Sequence, residues 1–243
     1  MSSSHKEFIH FSETSFWLLI GSLMSAFMFG NVFMACTFSI SCLKFLPTFS
    51  YLGCYRDHDR WLNFSLAFYG GVLPLIVVSL SVKLAEYVKK CSLIIMILAG
   101  FMGCTTLILI GLIDEVNGLY ILPLDRMHPW LTLFLYGCFN LFLYIALTGL
   151  ENVPLEYSEK EWLGRCNNLY RLANIMFAVT GTEWFLAYSI YSNFFINEVV
   201  EALCEWFVVT LAVFFPFALS NVTNTQITVE CKPTKQIEYE SIK

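Results

Sequence analysis

The sequence predicts an all-α fold, a polytopic membrane protein built as a bundle of six transmembrane helices. Apolar residues make up 57% of the 243 residues and charged residues only 14%, whereas a soluble domain carries about a quarter charged residues. Apolar segments long enough to cross ~30 Å of hydrocarbon recur along the chain with short links between them. The predicted spans are about 15–40, 62–84, 92–113, 129–149, 169–192 and 199–220, in a single membrane domain over 1–243 with a tail at 221–243.

The distribution of Lys and Arg predicts that both termini are cytosolic, because cytosolic loops carry the excess of basic residues. With that orientation only four of the 14 basic residues are luminal, and these are Lys44, Arg56, Arg60 and Arg126. The net charge is −5 and no nucleic-acid-binding motif occurs, so we do not expect nucleic acid as a partner.

The first span, 15–40, is much longer than the ~7–15-residue core of a cleavable signal peptide, so we expect it to remain as a membrane anchor. Cys42 and Cys54 share the luminal loop that follows, and two states stay open there, a disulfide or two free thiols. Cys91 and Cys166 lie beside predicted membrane ends, where S-palmitoylation and a free thiol are both open. No Cys-x-x-Cys or zinc pattern is present, so neither a metal site nor a cofactor is predicted.

Two residues at the ends of predicted spans are candidate contacts. His128 stands at the luminal mouth of the fourth span, before Pro129; it is either a site that titrates between about pH 5 and 8 or a helix-end hydrogen bond. Arg171 lies near the cytosolic end of the fifth span, as a contact or as a side chain that reaches the lipid headgroups.

Two carboxylates lie inside predicted spans, where an ionised group costs ~2.5–3.5 kcal/mol. Glu183 and Glu205 each stand 11 residues from Phe194, the midpoint of the link between the last two spans. Equal spacing predicts similar depths on the luminal side of the membrane centre. A structural carboxyl bonded to a neighbouring helix and a ligand or proton site both stay open for this intramembrane polar pair.

The tail ends in Tyr239-Glu-Ser-Ile242, which fits a tyrosine-x-x-bulky-apolar sorting signal. In a cytosolic tail, Tyr239 and Ile242 would be exposed to sorting adaptors, which recognise extended peptides through pockets for alternate side chains. A chance match is the alternative.

Several stretches, in order along nearly the whole chain, resemble the damage-regulated autophagy modulators. They are Leu46–Gly53 in the first luminal loop, Asn63–Phe68 in the second span, His128, Arg171 and Val200–Trp206 in the last span. The resemblance implies six helices in a lysosomal or endosomal membrane and a role in promoting autophagy, sometimes with apoptosis. The wider family also includes a Golgi factor for GPI-anchor lipid remodelling and plasma-membrane proteins acting on phosphoinositide supply.

We therefore expect a non-enzymatic modulator of autophagy in the lysosomal or endosomal membrane, with lipids, membrane proteins and sorting adaptors as partners. Two other functions stay open. One is a lipid-remodelling factor of the Golgi or ER, with His128 and nearby carboxylates as general base and acid. The other is a small proton-coupled transporter that uses Glu183 and Glu205. Golgi, ER and plasma membrane are the alternative locations.

Overall fold

The computed structural model describes residues 7–38, 59–112, 127–189 and 226–231, together with Leu203, Trp206 and Phe215. In this part of the chain the elements are β1 Glu7–Ser12, α1 Glu13–Phe38, α2 Asp59–Leu84, α3 Lys90–Leu112, α4 Met127–Leu150, α5 Tyr157–Ser189 and β2 Gln226–Cys231.

Three helices in the described part are long and apolar enough to cross a membrane by length and composition. They are Asn63–Leu84 within α2, Lys90–Leu112, which is α3, and Trp130–Leu150 within α4. These helices lie at the second, third and fourth predicted segments, so the helical membrane class is confirmed. The count of six spans and the sidedness of the termini stay predictions.

Helices α2 and α3 pack backbone against backbone. A Cβ atom on Gly70 would lie 2.6 Å from Ile108 Cγ1 and 2.8 Å from the carbonyl oxygen of Cys104. Real Cβ contacts are longer than this, so only glycine permits the approach. Small residues at helix crossings are the usual means of close packing in membranes, where apolar lipid provides no hydrophobic drive.

Helix α4 completes the core by placing an aromatic ring against α3. A Cβ on Gly100 would meet Val77 Cγ2 of α2 at 2.7 Å and the Phe142 ring of α4 at 3.1 Å. Phe142 is buried. One glycine thus marks the place where three helices meet. Trp206 and Phe215, from the last predicted span, also pack against this core.

The chain ends form a two-stranded antiparallel ribbon, which the apolar pattern of the sequence does not predict. Glu7 pairs with Cys231 and Ser12 with Gln226, and the pairs between them keep this register. β1 runs directly into α1 at Glu13. Each strand has only six residues and its partner lies at the other end of the chain, so neither carries a recognisable hairpin signal.

The link between α4 and α5 is held by local hydrogen bonds. The Glu156 N–H donates to Glu159 Oε2 at 2.9 Å, which is half of a capping box at the start of α5. Further along α5, Asn167 Nδ2 donates to Glu151 Oε1 at 2.9 Å. This second bond ties α5 back to the end of α4 and limits how far the two helices can separate there.

Candidate functional site

Four polar side chains meet between α4 and α5, and we call them the tyrosine–asparagine cluster. Tyr136 and Asn140 belong to α4, and Tyr170 and Asn174 belong to α5. Within each helix the tyrosine and the asparagine are four residues apart, so they lie on one helix face. The two faces oppose each other, and all four side chains are partly buried.

Asn174 is the centre of the cluster. Its Oδ1 atom accepts hydrogen bonds from the Tyr136 hydroxyl and from Asn140 Nδ2 at 2.5 Å. Its Nδ2 atom donates to the Tyr170 carbonyl oxygen at 3.0 Å. The Tyr170 hydroxyl donates to Asn140 Oδ1, with the Asn140 carbonyl oxygen 3.1 Å away. Every member of the cluster therefore bonds across the helix interface.

An aromatic contact fixes one edge of the cluster. The rings of Tyr136 and Phe177 stack with planes 6° apart and centroids 3.3 Å apart. Stacking holds the Tyr136 ring in one orientation, so its hydroxyl stays directed at Asn174. Aromatic pairs contribute about 0.5–1.5 kcal/mol beyond their buried area.

The cluster lies deep within the membrane-spanning part of α4. Asn140 is the midpoint of Trp130–Leu150, or ~15 Å from Leu150 at 1.5 Å per residue. No water is present at that depth to replace a lost partner. Hydrogen bonds between transmembrane helices average about 0.6 kcal/mol and reach about 1.7. Amides and phenols at this depth supply directional binding groups, and here they join two helices.

The sequence carries a signal for this cluster, although none of its four residues is among the predicted site residues. Tyr-Gly-Cys-Phe-Asn at 136–140 and Tyr-Arg-Leu-Ala-Asn at 170–174 repeat the same Tyr-x-x-x-Asn spacing in two neighbouring predicted spans. A repeat of polar residues at helical spacing indicates a shared interface. It does not show which way each helix is rotated, so the pairing itself needed the structure.

The predicted site residues are described to different degrees. Arg171 is exposed on α5, directly after Tyr170. His128 lies in the first turn of α4 and Glu183 near the end of α5, and the side chains of both lie outside the described part. Also outside the described residues are Glu205, Tyr239, Ile242, Cys42 and Cys54. The paired depth of the two glutamates, the sorting motif and the disulfide stay predictions.

The two cysteines beside predicted membrane ends differ in accessibility. Cys91 is exposed and Cys166 is buried, and both are free thiols. Burial raises the pKa of the Cys166 thiol to about 11, although a backbone hydrogen bond acts in the opposite direction. The thiolate is the form that reacts, so of these two residues only Cys91 is accessible to acylation in the folded protein.

A groove of about 810 Å³ opens between α3 and α4. Its walls are apolar and include Leu98, Met102, Phe134 and Leu141. A surface of this kind accommodates hydrocarbon, which is what a membrane-spanning helix pair meets on its lipid side.

Comparisons with known proteins give no match, since no family model, no curated protein and no solved structure is similar to the chain.

Proposed function

We propose that the chain is a non-enzymatic multi-pass protein of the lysosomal or endosomal membrane that modulates autophagy. Three apolar helices of spanning length support a membrane-embedded protein. Several stretches, from Leu46–Gly53 to Val200–Trp206, resemble the autophagy modulators in the same order along the chain. This resemblance supports a role in autophagy and a location in the lysosomal or endosomal membrane. The tail motif that ends at Ile242 supports an endosomal and lysosomal route.

In this proposal the chain crosses the membrane six times and both termini are cytosolic. The observation that carries it is the pairing of β1 with β2. β1 immediately precedes α1, and β2 follows the last predicted span. Two paired strands lie on one side of the membrane, so the chain between them crosses an even number of times. The excess of Lys and Arg in the same set of loops supports the cytosol as that side.

The bundle acts as a scaffold. Helices α2, α3 and α4 form a core with direct backbone contacts at Gly70 and a three-helix contact at Gly100. The tyrosine–asparagine cluster then holds α5 to α4 through hydrogen bonds that have no water to compete with them. A body held in this way keeps a fixed arrangement of outer helix faces, which is what recruitment of lipids or membrane proteins requires.

The test is the location and effect of the full chain in cells. We expect a tagged protein to overlap with lysosomal markers, and its loss to reduce the turnover of an autophagosome marker measured with and without a lysosomal inhibitor. Re-expression of the parent chain should restore turnover, and so should Thr148→Ala, which changes an exposed residue of α4.

Other outcomes favour the other functions. Golgi residence with altered GPI-anchored proteins would replace the proposal with lipid remodelling. Proton-driven flux lost in Glu205→Gln would replace it with transport. Normal marker turnover after loss of the protein would refute a role in autophagy.

A further inference from the structure

The groove between α3 and α4 is lined by residues of these two helices. Two of the lining residues, Ala99 and Gly137, are very small, and a Cβ on Gly137 would meet nothing within 4 Å. Most of the others are bulky and apolar, among them Leu98, Phe134 and Leu141. The groove is therefore a gap in the surface of the helix pair, and the side chains of α3 and α4 do not fill it.

The neighbouring helices contact other faces of α3 and α4. α3 meets Gly70 of α2 through Ile108, and α4 bonds to α5 through Asn140, whereas neither Ile108 nor Asn140 lines the groove. Trp206 and Phe215 of the last predicted span pack against the core, and they do not line the groove either. Within the described part of the chain, the groove is thus open to the surrounding lipid.

The groove is long enough for an extended acyl chain. α3 and α4 run antiparallel, with Gly100 against Phe142. Of the lining residues, Ile95 lies five residues before Gly100 and Trp130 lies twelve residues before Phe142. These two ends are on opposite sides of the contact, so they are about 25 Å apart along the helices. The hydrocarbon core is about 30 Å thick, so an acyl chain of one leaflet fits into the groove lengthwise.

Basic residues stand where one end of the groove approaches the membrane surface. Ile95 and Cys91 are one turn apart on the same face of α3, and Lys89 and Lys90 directly precede Cys91. Both lysines are exposed, and neither makes an ion pair within the described part of the chain. Segment 83–90 contains three lysines and one glutamate, so its net charge is +2. A lipid headgroup at Lys90 is only ~7.5 Å along the helix from the end of the groove at Ile95.

We infer that the α3–α4 groove holds one acyl chain of an anionic phospholipid, whose headgroup lies at Lys89 and Lys90. Lipid chains are as apolar as the lining residues, so entry of a chain has little hydrophobic drive. The shape of the groove therefore decides where the chain lies, and the lysines decide which lipid is retained, because basic residues near the surface attract anionic headgroups. A sterol would leave both lysines without a partner. The inference names a lipid for the scaffold of the proposed function, but it rests only on the membrane embedding of α3 and α4.

The test is photo-cross-linking of the full chain in phosphatidylcholine nanodiscs. The probes are phosphatidylglycerol and phosphatidylcholine, each present in trace amount and each with a diazirine in one acyl chain. We expect mass spectrometry of the peptides to place the cross-links of phosphatidylglycerol in the lining segments of α3 and α4. Their yield should be about tenfold above that of phosphatidylcholine, which corresponds to ~1.4 kcal/mol. Cross-links spread evenly over the outer faces of all helices would overturn the inference.

A glycine pair tests the place of the chain. Gly137→Leu fills the groove and should reduce the cross-links of both probes there at least fivefold. Gly71→Leu is the matched control, because Gly71 lies on α2 outside the groove and also has nothing within 4 Å of its Cβ position. It should leave the cross-links unchanged. An equal yield in the two variants would contradict the inference, and their melting temperatures show that both are folded.

A lysine pair tests the choice of lipid. Lys89→Gln with Lys90→Gln should remove the preference for phosphatidylglycerol and leave the phosphatidylcholine cross-links in place. Lys160→Gln with Arg165→Gln is the control, because it removes two exposed positive charges of α5, and it should keep the preference. The opposite result in either pair, or displacement of the probe by excess cholesterol, would overturn the inference. Nanodiscs contain only the embedded chain, so a failure of the proposed role in autophagy would leave this result intact.

Discussion

Asn140 Nδ2 donates a hydrogen bond to Asn174 Oδ1 at 2.5 Å, and this bond joins α4 to α5 at the middle of the α4 span. The two residues belong to consecutive helices. In a membrane the unfolded chain also finds polar partners for these groups, which lowers the net free energy that the bond contributes to folding. The bond therefore contributes only moderately to stability. Its main effect is to fix the rotation of α5 relative to α4.

Replacing Asn174 by alanine should destabilise the bundle by about 1–3 kcal/mol. The change removes the acceptor of two hydrogen bonds and leaves the Tyr136 hydroxyl and an Asn140 N–H without that acceptor. Thermal unfolding of the purified protein in detergent measures the effect. Thr148→Ala is the control, because its hydroxyl donates within its own helix, to the Tyr144 carbonyl oxygen at 2.8 Å. Equal melting of both variants would show that the cluster does not hold α5.

Two adjacent glycines of α2 should respond oppositely to alanine. Gly70→Ala places a methyl group 2.8 Å from the Cys104 carbonyl oxygen, and the helices must move apart. Overpacking of this kind costs about 1–3 kcal/mol. Gly71 has nothing within 4 Å of its Cβ position, so Gly71→Ala should be neutral or stabilising by up to about 1 kcal/mol. The melting temperatures of the pair test the helix contact, and equal values would refute it.

The two membrane-end cysteines should differ in alkylation. A maleimide applied to the folded protein should label Cys91, so Cys91→Ser should lose label that Cys166→Ser keeps. Raising the pH from 7 to 9 should leave Cys166 unreactive, because burial raises its pKa from 9.0 to about 11 and its thiol stays protonated.

The same shift of Cys166 lowers stability at high pH. The folded thiol keeps its proton up to about pH 11, while the unfolded thiol loses it near 9.0. The free energy of unfolding is therefore unaffected by this thiol below pH 9.0, and it decreases as the pH rises from 9.0 towards 11. Rapid labelling of Cys166 at pH 7, before denaturation, would contradict its burial.

The terminal ribbon should be trapped by a designed disulfide. Ile9 and Val229 are paired in the register, so cysteines at both positions should cross-link on mild oxidation. Ile9→Cys with Gln226→Cys is the control, because those positions are three residues out of register. Mobility on a non-reducing gel after cleavage of an inserted protease site between the spans reports the link. Equal cross-linking in both pairs would refute the register.

The sorting motif has its own test. Tyr239→Ala should shift the protein from lysosomes towards the cell surface, because the pocket for the aromatic side chain would be empty. Surface biotinylation measures the shift. The conservative exchange Tyr239→Phe removes only the hydroxyl and serves as the comparison. An unchanged surface fraction for Tyr239→Ala would show that the motif is a chance match.

The sequence predicted the long apolar helices well because span length and apolar composition are local properties. α3 and α4 are examples, since each is one uninterrupted run. The cluster was harder, because Asn140 and Asn174 meet only when two helices adopt a particular rotation. The same limit applies to Cys91 and Cys166. Both flank predicted spans, and only the rotation of each helix decides which thiol is buried. The β1–β2 pairing joins residues at opposite chain ends and leaves no local pattern.

The pairing of β2 with β1 also limits how far the residues after β2 can extend from the start of α1. Residues 226–231 are paired beside the start of α1, and Tyr239 is eight residues beyond Cys231, the last residue of β2. A fully extended chain spans at most about 3.6 Å per residue, so Tyr239 stays within about 29 Å of the strand end. An adaptor that binds the predicted motif at Tyr239 would therefore have to approach the bilayer closely. Separation of β2 from β1 would add six residues to the segment before Tyr239, so the motif could then reach farther from the bilayer.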